Sequence, residues 1–243
     1  MRFLLAVFGI AIALAAPSTG LAQPAGPWMT LLSVTFPILA DLPGLPVSCT
    51  GWYAAARGHA GSMPVSVYVT AGHCDVPRIV RLAEGFEQMA VLGYINRPGV
   101  DASVGIRVDP RAIRMFPILA TVAPWSGDRA LVVGYSAGHI TEAVLTTLPE
   151  CLHGFLCFHS DHALRPGMSG APILSFRTGL IIGILIGTPR DSHGYGDPHT
   201  VWATPSSTLQ TLIEFAIPGV LDTNHAGKPS VLVPATEPSL LSP

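Results

Sequence analysis

From Cys49 onward the apolar residues of this chain alternate with polar ones in short runs, and glycine or proline closes each run. Val65, Val67 and Val69 alternate with Ser66, Tyr68 and Thr70, and Val104, Ile106 and Val108 repeat the period of two. That period places every second side chain on one face, the pattern of a half-buried strand. Ala130 to Val133, Leu180 to Ile186 with Gly183 inside it, and Val201 to Ala203 are further strand candidates. Turn signals separate them at Arg97-Pro98-Gly99, Asp109-Pro110, Ser126-Gly127-Asp128 and Arg165-Pro166-Gly167. The spacing is that of an all-β barrel or sandwich, with room for two lobes at about 47–120 and 121–205. One helix is expected over 206–217: Leu209, Leu212, Ile213 and Ala216 fall at helical spacing. Gln210 follows Ser207 by three residues, the spacing of a capping box, and Pro218 stands past the end.

The two ends read differently. Arg2, the apolar run Phe3 to Ala16 and the small residues ending Gly20-Leu21-Ala22 spell a secretory signal peptide over 1–22. The run is shorter than the roughly 18 apolar residues of a membrane span, and no stable span is expected once the signal is removed. An uncleaved anchor is the rival reading. Residues 23–46, with Pro24, Pro27, Pro37, Pro43 and Pro46, are expected to form an extended lead-in to a domain at 47–217. Residues 218–243, with Pro229, Pro234, Pro238 and Pro243 and no sustained period, are expected to be a disordered tail.

Export to a secreted, periplasmic or cell-envelope location makes disulfides admissible. Cys49, Cys74, Cys151 and Cys157 allow three connectivities, and proximity in sequence favours 49–74 with 151–157. On the loop-entropy model those bridges contribute about 3.5 and about 2 kcal/mol. A cysteine metal site is the rival, but neither pair has C-x-x-C spacing. At 49% hydrophobic and 12% charged, 243 residues suffice for one domain with its own core. The formal net charge of -2, without any run of like charges, argues against a nucleic-acid partner.

Three segments carry chemistry together: Thr70-Ala71-Gly72-His73-Cys74 at a strand end, Asp101-Ala102-Ser103-Val104-Gly105-Ile106 at a strand start, and Gly167-Met168-Ser169-Gly170-Ala171-Pro172 after a turn. Acyl transfer needs a nucleophile, an imidazole to take its proton, a carboxylate to orient that imidazole, and backbone N–H groups aimed at the developing oxyanion. Glycines beside the serine permit the tight turn that aims those groups.

In this order and spelling the three segments resemble the chymotrypsin-like (trypsin-fold) serine peptidases, in their compact bacterial form, from about Cys49 to Ile217. The resemblance implies two six-stranded β-barrels at right angles, the site in the cleft between them, and a C-terminal helix. It implies His73 as general base, Asp101 as its orienting partner and Ser169 as nucleophile, with the N–H groups of Gly167 and Ser169 as oxyanion hole. Cys49 and Cys74 match the family's disulfide beside the histidine. A polypeptide substrate, no cofactor and no metal are implied. Two departures stand out. Met168 occupies the place of an aspartate that pairs with a freed N-terminus in the animal enzymes, and a thioether cannot make that ion pair. Ile186 falls where a serine commonly supports the catalytic aspartate. The substrate pocket would be bounded by Ala163, Ile186, Gly187 and Thr188, which favours a neutral, small-to-medium apolar side chain.

Other readings stay open on the sequence. Gly134-Tyr135-Ser136-Ala137-Gly138 has the G-x-S-x-G form of the α/β-hydrolase nucleophile elbow, which would make an esterase of Ser136 with Asp191 or Asp197 as acid and His199 or His225 as base. That fold needs alternating strands and helices, and few helices precede Ser136. A trypsin-fold protein that binds without cleaving is the third reading. His159, His162, His193 and His199, with aspartates between them, read as surface-loop residues rather than metal ligands.

Overall fold

The computed structural model describes residues 26–42, 45–60, 63–74, 79–82, 85–97, 100–108, 116–149, 151, 154–188 and 197–218. The expected signal peptide, the tail beyond residue 218, and Asp191, His193 and His225 lie outside the described residues. The chain begins with α1 (Pro27–Val34) and then builds β1 (Thr35–Leu42), β2 (Leu45–Ala60), β3 (Met63–Thr70), β4 (Ile79–Leu82), β5 (Gly85–Arg97) and β6 (Val100–Val108). These six strands close into an antiparallel barrel in the order β1-β2-β3-β6-β5-β4. A second closed barrel, β10-β11-β12-β9-β8-β7, follows. Its strands are β7 (Arg129–Ser136), β8 (His139–Thr147), β9 (Leu156–Ser160), β10 (Pro172–Ser175), β11 (Ile181–Gly187) and β12 (Thr200–Pro205), and α2 (Ser206–Ala216) comes last.

The lead-in expected to be extended over 23–46 is corrected by this arrangement. Residues 27–34 form a helix with Pro27 at its first turn, where the missing N–H costs nothing, and 35–42 form the first barrel strand. β1 meets β4 only at Leu39↔Arg81, so on that side it is close to an edge strand, where Pro37 is tolerated. The first barrel therefore starts at Thr35 rather than at residue 47.

Alternation along the strands sorts the side chains into separate cores. Ala130, Val132, Leu145, Phe158, Ile173, Leu185 and Val201 fill the second barrel, and Phe36, Ile38, Tyr53 and Tyr68 pack in the first. A further cluster joins the two: Trp52, Val67, Val69 and Val104 of the first barrel meet Leu131, Val133, Leu174 and Ile184 of the second. Leu209, Leu212 and Ile213 of α2 complete this cluster, and α2 packs against β5 and β6 as well as β11 and β12.

The capping box expected at Ser207 and Gln210 is absent, because the helix starts at Ser206 and Gln210 bonds elsewhere. The N-cap is Pro205, without a side-chain cap bond. Ser206 Oγ donates to the Ala120 carbonyl at 2.6 Å, and Gln210 Nε2 donates to the Leu119 and Ala120 carbonyls at 3.3 and 3.2 Å. The helix start is thus fastened to the segment that joins the barrels. Cys49–Cys74 and Cys151–Cys157 are disulfide-bonded, and the described residues contain no free cysteine.

Candidate active site

His73 lies in the 3-10 turn Gly72–Cys74 just past the end of β3, and Asp101 is the second residue of β6. β3 and β6 are hydrogen-bonded neighbours with Thr70 opposite Ser103, so these two ends come together without any long-range search. Asp101 Oδ2 is 2.5 Å from His73 Nδ1, and Asp101 Oδ1 accepts the His73 backbone N–H at 2.9 Å. Both carboxylate oxygens are therefore used on one residue, which fixes the imidazole in position and in rotation. The Asp101 side chain is 9% exposed, whereas that of His73 is 39% exposed.

Support for Asp101 comes from the second barrel. The Thr204 hydroxyl accepts the Asp101 N–H at 3.1 Å and donates to the Asp101 carbonyl at 3.0 Å. Ile186 offers no such hydroxyl, and the Thr204 contact is to the Asp101 backbone rather than to its carboxylate. Gly183 makes room for Thr204: a Cβ there would lie 2.5 Å from the Thr204 carbonyl oxygen.

Ser169 sits in the loop between β9 and β10, and Thr50 of β2 holds this loop from the other barrel. The Thr50 N–H donates to the Ser169 carbonyl at 2.8 Å, and its hydroxyl donates to the Gly167 carbonyl at 3.0 Å. The same hydroxyl accepts the Tyr135 N–H at 2.8 Å. Thr70 Oγ1 donates to the Thr50 carbonyl at 2.8 Å, tying the anchor to the strand that leads to His73. Cys74 Sγ packs 3.8 Å from the Ser169 carbonyl oxygen, so the Ser169 loop touches the residue next to His73. Gly167 (φ 104°) and Gly170 (φ 88°) take left-handed conformations that only glycine adopts without strain. Gly170 has a second reason to be glycine, since a Cβ would fall 2.1 Å from the Thr50 carbonyl oxygen.

The Ser169 hydroxyl donates to the Ile186 carbonyl at 2.7 Å. Ile186 is the extra residue at a register shift between β11 and β12, Leu185 facing Ala203 and Gly187 facing Trp202. Ile186, Gly187 and Thr188 are half-buried, and of these Ile186 touches Ser169, whereas Ala163 is exposed on the loop that leads to the serine. Met168 is fully buried in the core of the second barrel.

The competing features resolve into ordinary structure. Ser136 ends β7, and Ala137 (φ 49°) with Gly138 (φ 81°) turns the chain straight into β8. Two successive positive φ angles make the two-residue hairpin turn that matches strand twist, so G-x-S-x-G here spells a hairpin and no helix follows the serine. The elbow reading is corrected. Asp197, one of its candidate acids, accepts the His199 N–H at 2.9 Å and the Thr200 hydroxyl at 2.8 Å in an exposed turn. Those two bonds hold its pKa below the ordinary carboxylate value. His199 Nδ1 is 3.0 Å from the Ser160 carbonyl oxygen, and its ring stacks on His159 at 5.7 Å. His162 Nε2 lies 3.9 Å from Asp161. Cys49, Cys74 and His73 bring potential metal-ligand atoms within 4.8 Å of one another, but the two sulfurs are bonded to each other.

Sequence reasoning reached His73, Asp101 and Ser169 and missed Thr50, Thr70 and Thr204. Each of those threonines lies in a strand where β-branched residues are common, and only the packing of distant segments gives it a task.

No protein-family model matches the chain, and no curated protein sequence matches it. Solved structures do. A serine endoprotease from Yersinia pestis superposes with a TM-score of 0.58 at 17% identity, over 80% of this chain and 68% of that one. The active form of the Rv3671c protease from M. tuberculosis gives 0.60 at 16% identity, over 88% and 95%. An inactive form of the same protease gives 0.54 at 16% identity, over 77% and 90%. Two closed six-stranded barrels followed by a C-terminal helix, together with these superpositions, give the chain the trypsin-like fold of serine proteases.

Proposed function

We propose that the protein is a serine endopeptidase that hydrolyses polypeptides through an acyl-enzyme, with His73, Asp101 and Ser169 as its triad. The observation that carries this reading is the double use of the Asp101 carboxylate on His73, at 2.5 Å to Nδ1 and 2.9 Å from the backbone N–H. With Nδ1–H directed at the carboxylate, the other ring nitrogen is left as an acceptor. It takes the Ser169 proton as Oγ attacks the scissile carbonyl. The oxyanion that forms is met by the N–H groups of Gly167 and Ser169, and among the described residues neither donates to a protein acceptor. Collapse breaks the C–N bond, and the imidazolium returns its proton to the leaving amine. Water then attacks the acyl-enzyme, gives its proton to His73 and releases the acid, with the Ser169 hydroxyl restored.

No cofactor enters this sequence of steps. The two disulfides fit an oxidising compartment and support export directed by residues 1–22. No helix among the described residues is long and apolar enough to cross a membrane. The domain is proposed to run from α1 to α2, with residues 218–243 as a tail.

A second reading has one observation in its favour. The Ser169 hydroxyl rests on the Ile186 carbonyl rather than on His73, as it would in a trypsin-fold protein that binds peptides without cleaving them. A fluorophosphonate probe followed by peptide mapping separates the two. Labelling of Ser169, lost in His73→Ala, is expected of the peptidase. A folded protein without label would favour the binding protein, and a label on Ser136 would overturn both.

A further inference from the structure

His159 and His199 are brought together by the pairing of β9 with β12, and the proposed chemistry uses neither. His159 stands opposite Thr200, the residue that follows His199. Spacing in the sequence does not mark the two as ligands, because only the closure of the second barrel makes them neighbours. Their imidazole rings lie with centroids 5.7 Å apart and planes 26° from parallel. His159 is exposed and His199 half-buried, so an ion can reach the pair from solvent. The separation is that of a chelate. A ring nitrogen on zinc lies about 2.0–2.1 Å from the ion, which sets each ring centroid about 3.2 Å away and two tetrahedrally disposed centroids about 5.3 Å apart. The observed 5.7 Å corresponds to a slightly wider angle at the ion. The χ2 torsion of histidine is broad and soft, so the exposed His159 ring can turn its nitrogen toward the point that His199 faces.

His199 already has the support of a ligand. Its Nδ1 is 3.0 Å from the Ser160 carbonyl oxygen, 39 residues away in the chain. A carbonyl only accepts, so Nδ1 carries the proton and the neutral ring keeps its lone pair on Nε2. Donation of the second ring N–H to a backbone carbonyl fixes the tautomer and orientation of metal-ligating histidines in just this way. A carboxylate stands beside the pair. Asp197 accepts the His199 N–H at 2.9 Å and the Thr200 hydroxyl at 2.8 Å. Those bonds are the largest causes that lower its pKa, and the charges of His199 and His159 add to them, which puts the carboxylate within electrostatic reach of both rings.

We propose that His159 and His199 chelate a divalent transition-metal ion of the zinc class, with the Asp197 carboxylate balancing its charge. Neutral imidazole suits such ions, and the remaining coordination positions fall to water. The site stands apart from the Ser169 chemistry and does not depend on the peptidase reading. An ion held there ties the head of β12, the strand that carries Thr204, to β9, and so clips the barrel where strands distant in sequence meet.

The test titrates zinc chloride calorimetrically into the full chain. One ion per chain is expected. His159→Ala and His199→Asn are each expected to weaken its binding more than about tenfold, the scale lost even when only an outer partner of a metal ligand is removed. Asparagine at 199 keeps an N–H donor for the Ser160 carbonyl while it removes the ligand nitrogen. His162→Asn, at another exposed histidine, is expected to leave the affinity unchanged. Zinc should also raise the thermal midpoint of the wild type and of neither ligand variant, because an ion that binds only the folded state stabilises it. Should a variant fold poorly, the ring-proton resonances of His159 and His199 in the wild type give a second reading, both shifting with zinc at one midpoint. Absence of zinc binding by the wild type would overturn the site, as would binding that survives both substitutions. Loss in only one of the two variants would also overturn it, since a chelate needs both rings.

Discussion

The Thr204 hydroxyl grips both backbone polar groups of Asp101, accepting the N–H at 3.1 Å and donating to the carbonyl at 3.0 Å, although the two residues lie on different barrels. This clamp sets the height of the carboxylate against His73. Thr204→Val keeps the shape but leaves a buried N–H and a buried carbonyl without that partner, at a cost of about 1–3 kcal/mol in urea unfolding. Turnover of a peptide substrate is expected to fall about tenfold, since a loss of about 1.4 kcal/mol in transition-state positioning has that effect. Thr204→Ser keeps the hydroxyl and is expected to restore most of the rate. Equal rates for the Val and Ser variants would show that the clamp is structural only.

Gly170→Ala is expected to be the most damaging single-methyl change in the Ser169 loop. The residue has φ 88°, and its new Cβ would lie 2.1 Å from the Thr50 carbonyl oxygen, a backbone atom that cannot rotate away. The left-handed conformation alone costs about 1–2 kcal/mol for a residue with a Cβ, and the clash adds to it. A fall in thermal midpoint well beyond that of an exposed Gly138→Ala control would bear this out.

The two disulfides are expected to differ in effect. Cys49–Cys74 closes a separation of 25 residues and Cys151–Cys157 one of 6, so their chain-entropy contributions are about 3.5 and about 2 kcal/mol. Cys49 is also joined in sequence to the loop anchor Thr50, and Cys74 to His73. Replacing Cys49 and Cys74 by serine is therefore expected to cost activity at temperatures where the protein is still folded. The matching change at 151 and 157 is expected to cost stability only, as read from paired melting and rate measurements.

Asp128 supplies a pH test away from the site. Arg177 donates to its carboxylate from Nε and Nη2, and that bond holds the Asp128 pKa below the ordinary value, against the opposing effect of desolvation and with help from the Trp125 N–H. A carboxylate with a depressed folded-state pKa stabilises fully above its unfolded pKa of about 3.9, and the contribution disappears as pH falls through the lower folded value. The pair lies at the surface, with the Arg177 side chain 42% exposed over an Asp128 side chain that is 13% exposed, so Asp128→Asn is expected to cost about 1 kcal/mol at pH 7. The gap between wild type and variant should narrow below about pH 3.9 in acid titrations followed by circular dichroism. A gap that stays constant to the acid limit would assign the effect to something other than the ion pair.

Residues whose role is local were legible in the sequence. The strand alternation of Val65 to Val69 and Val104 to Val108, the apolar face of α2, and the short peptides around His73, Asp101 and Ser169 all spell their structure within a few positions. The cysteine pairs were legible because their partners are near in sequence. What could not be read is held by contacts across the barrels: Thr50 to Gly167, 117 residues apart, and Thr204 to Asp101, 103 residues apart. A threonine in a strand carries no mark of a distant partner. The segment 27–42 misled for another reason. Its prolines signalled an extended strap, yet Pro27 opens a helix and Pro37 sits in a nearly unpaired flank of β1, two places where proline costs little.

Helix α2 is made after every strand of both barrels, and it is the piece that straddles them and fastens the connection at Leu119 and Ala120. A nascent chain stopped just before Ser206 already contains His73, Asp101, Ser169 and Thr204. It lacks the Leu209, Leu212 and Ile213 wedge that seals the joint between the halves. The joint between the barrels is thereby closed only after all twelve of their strands have been made.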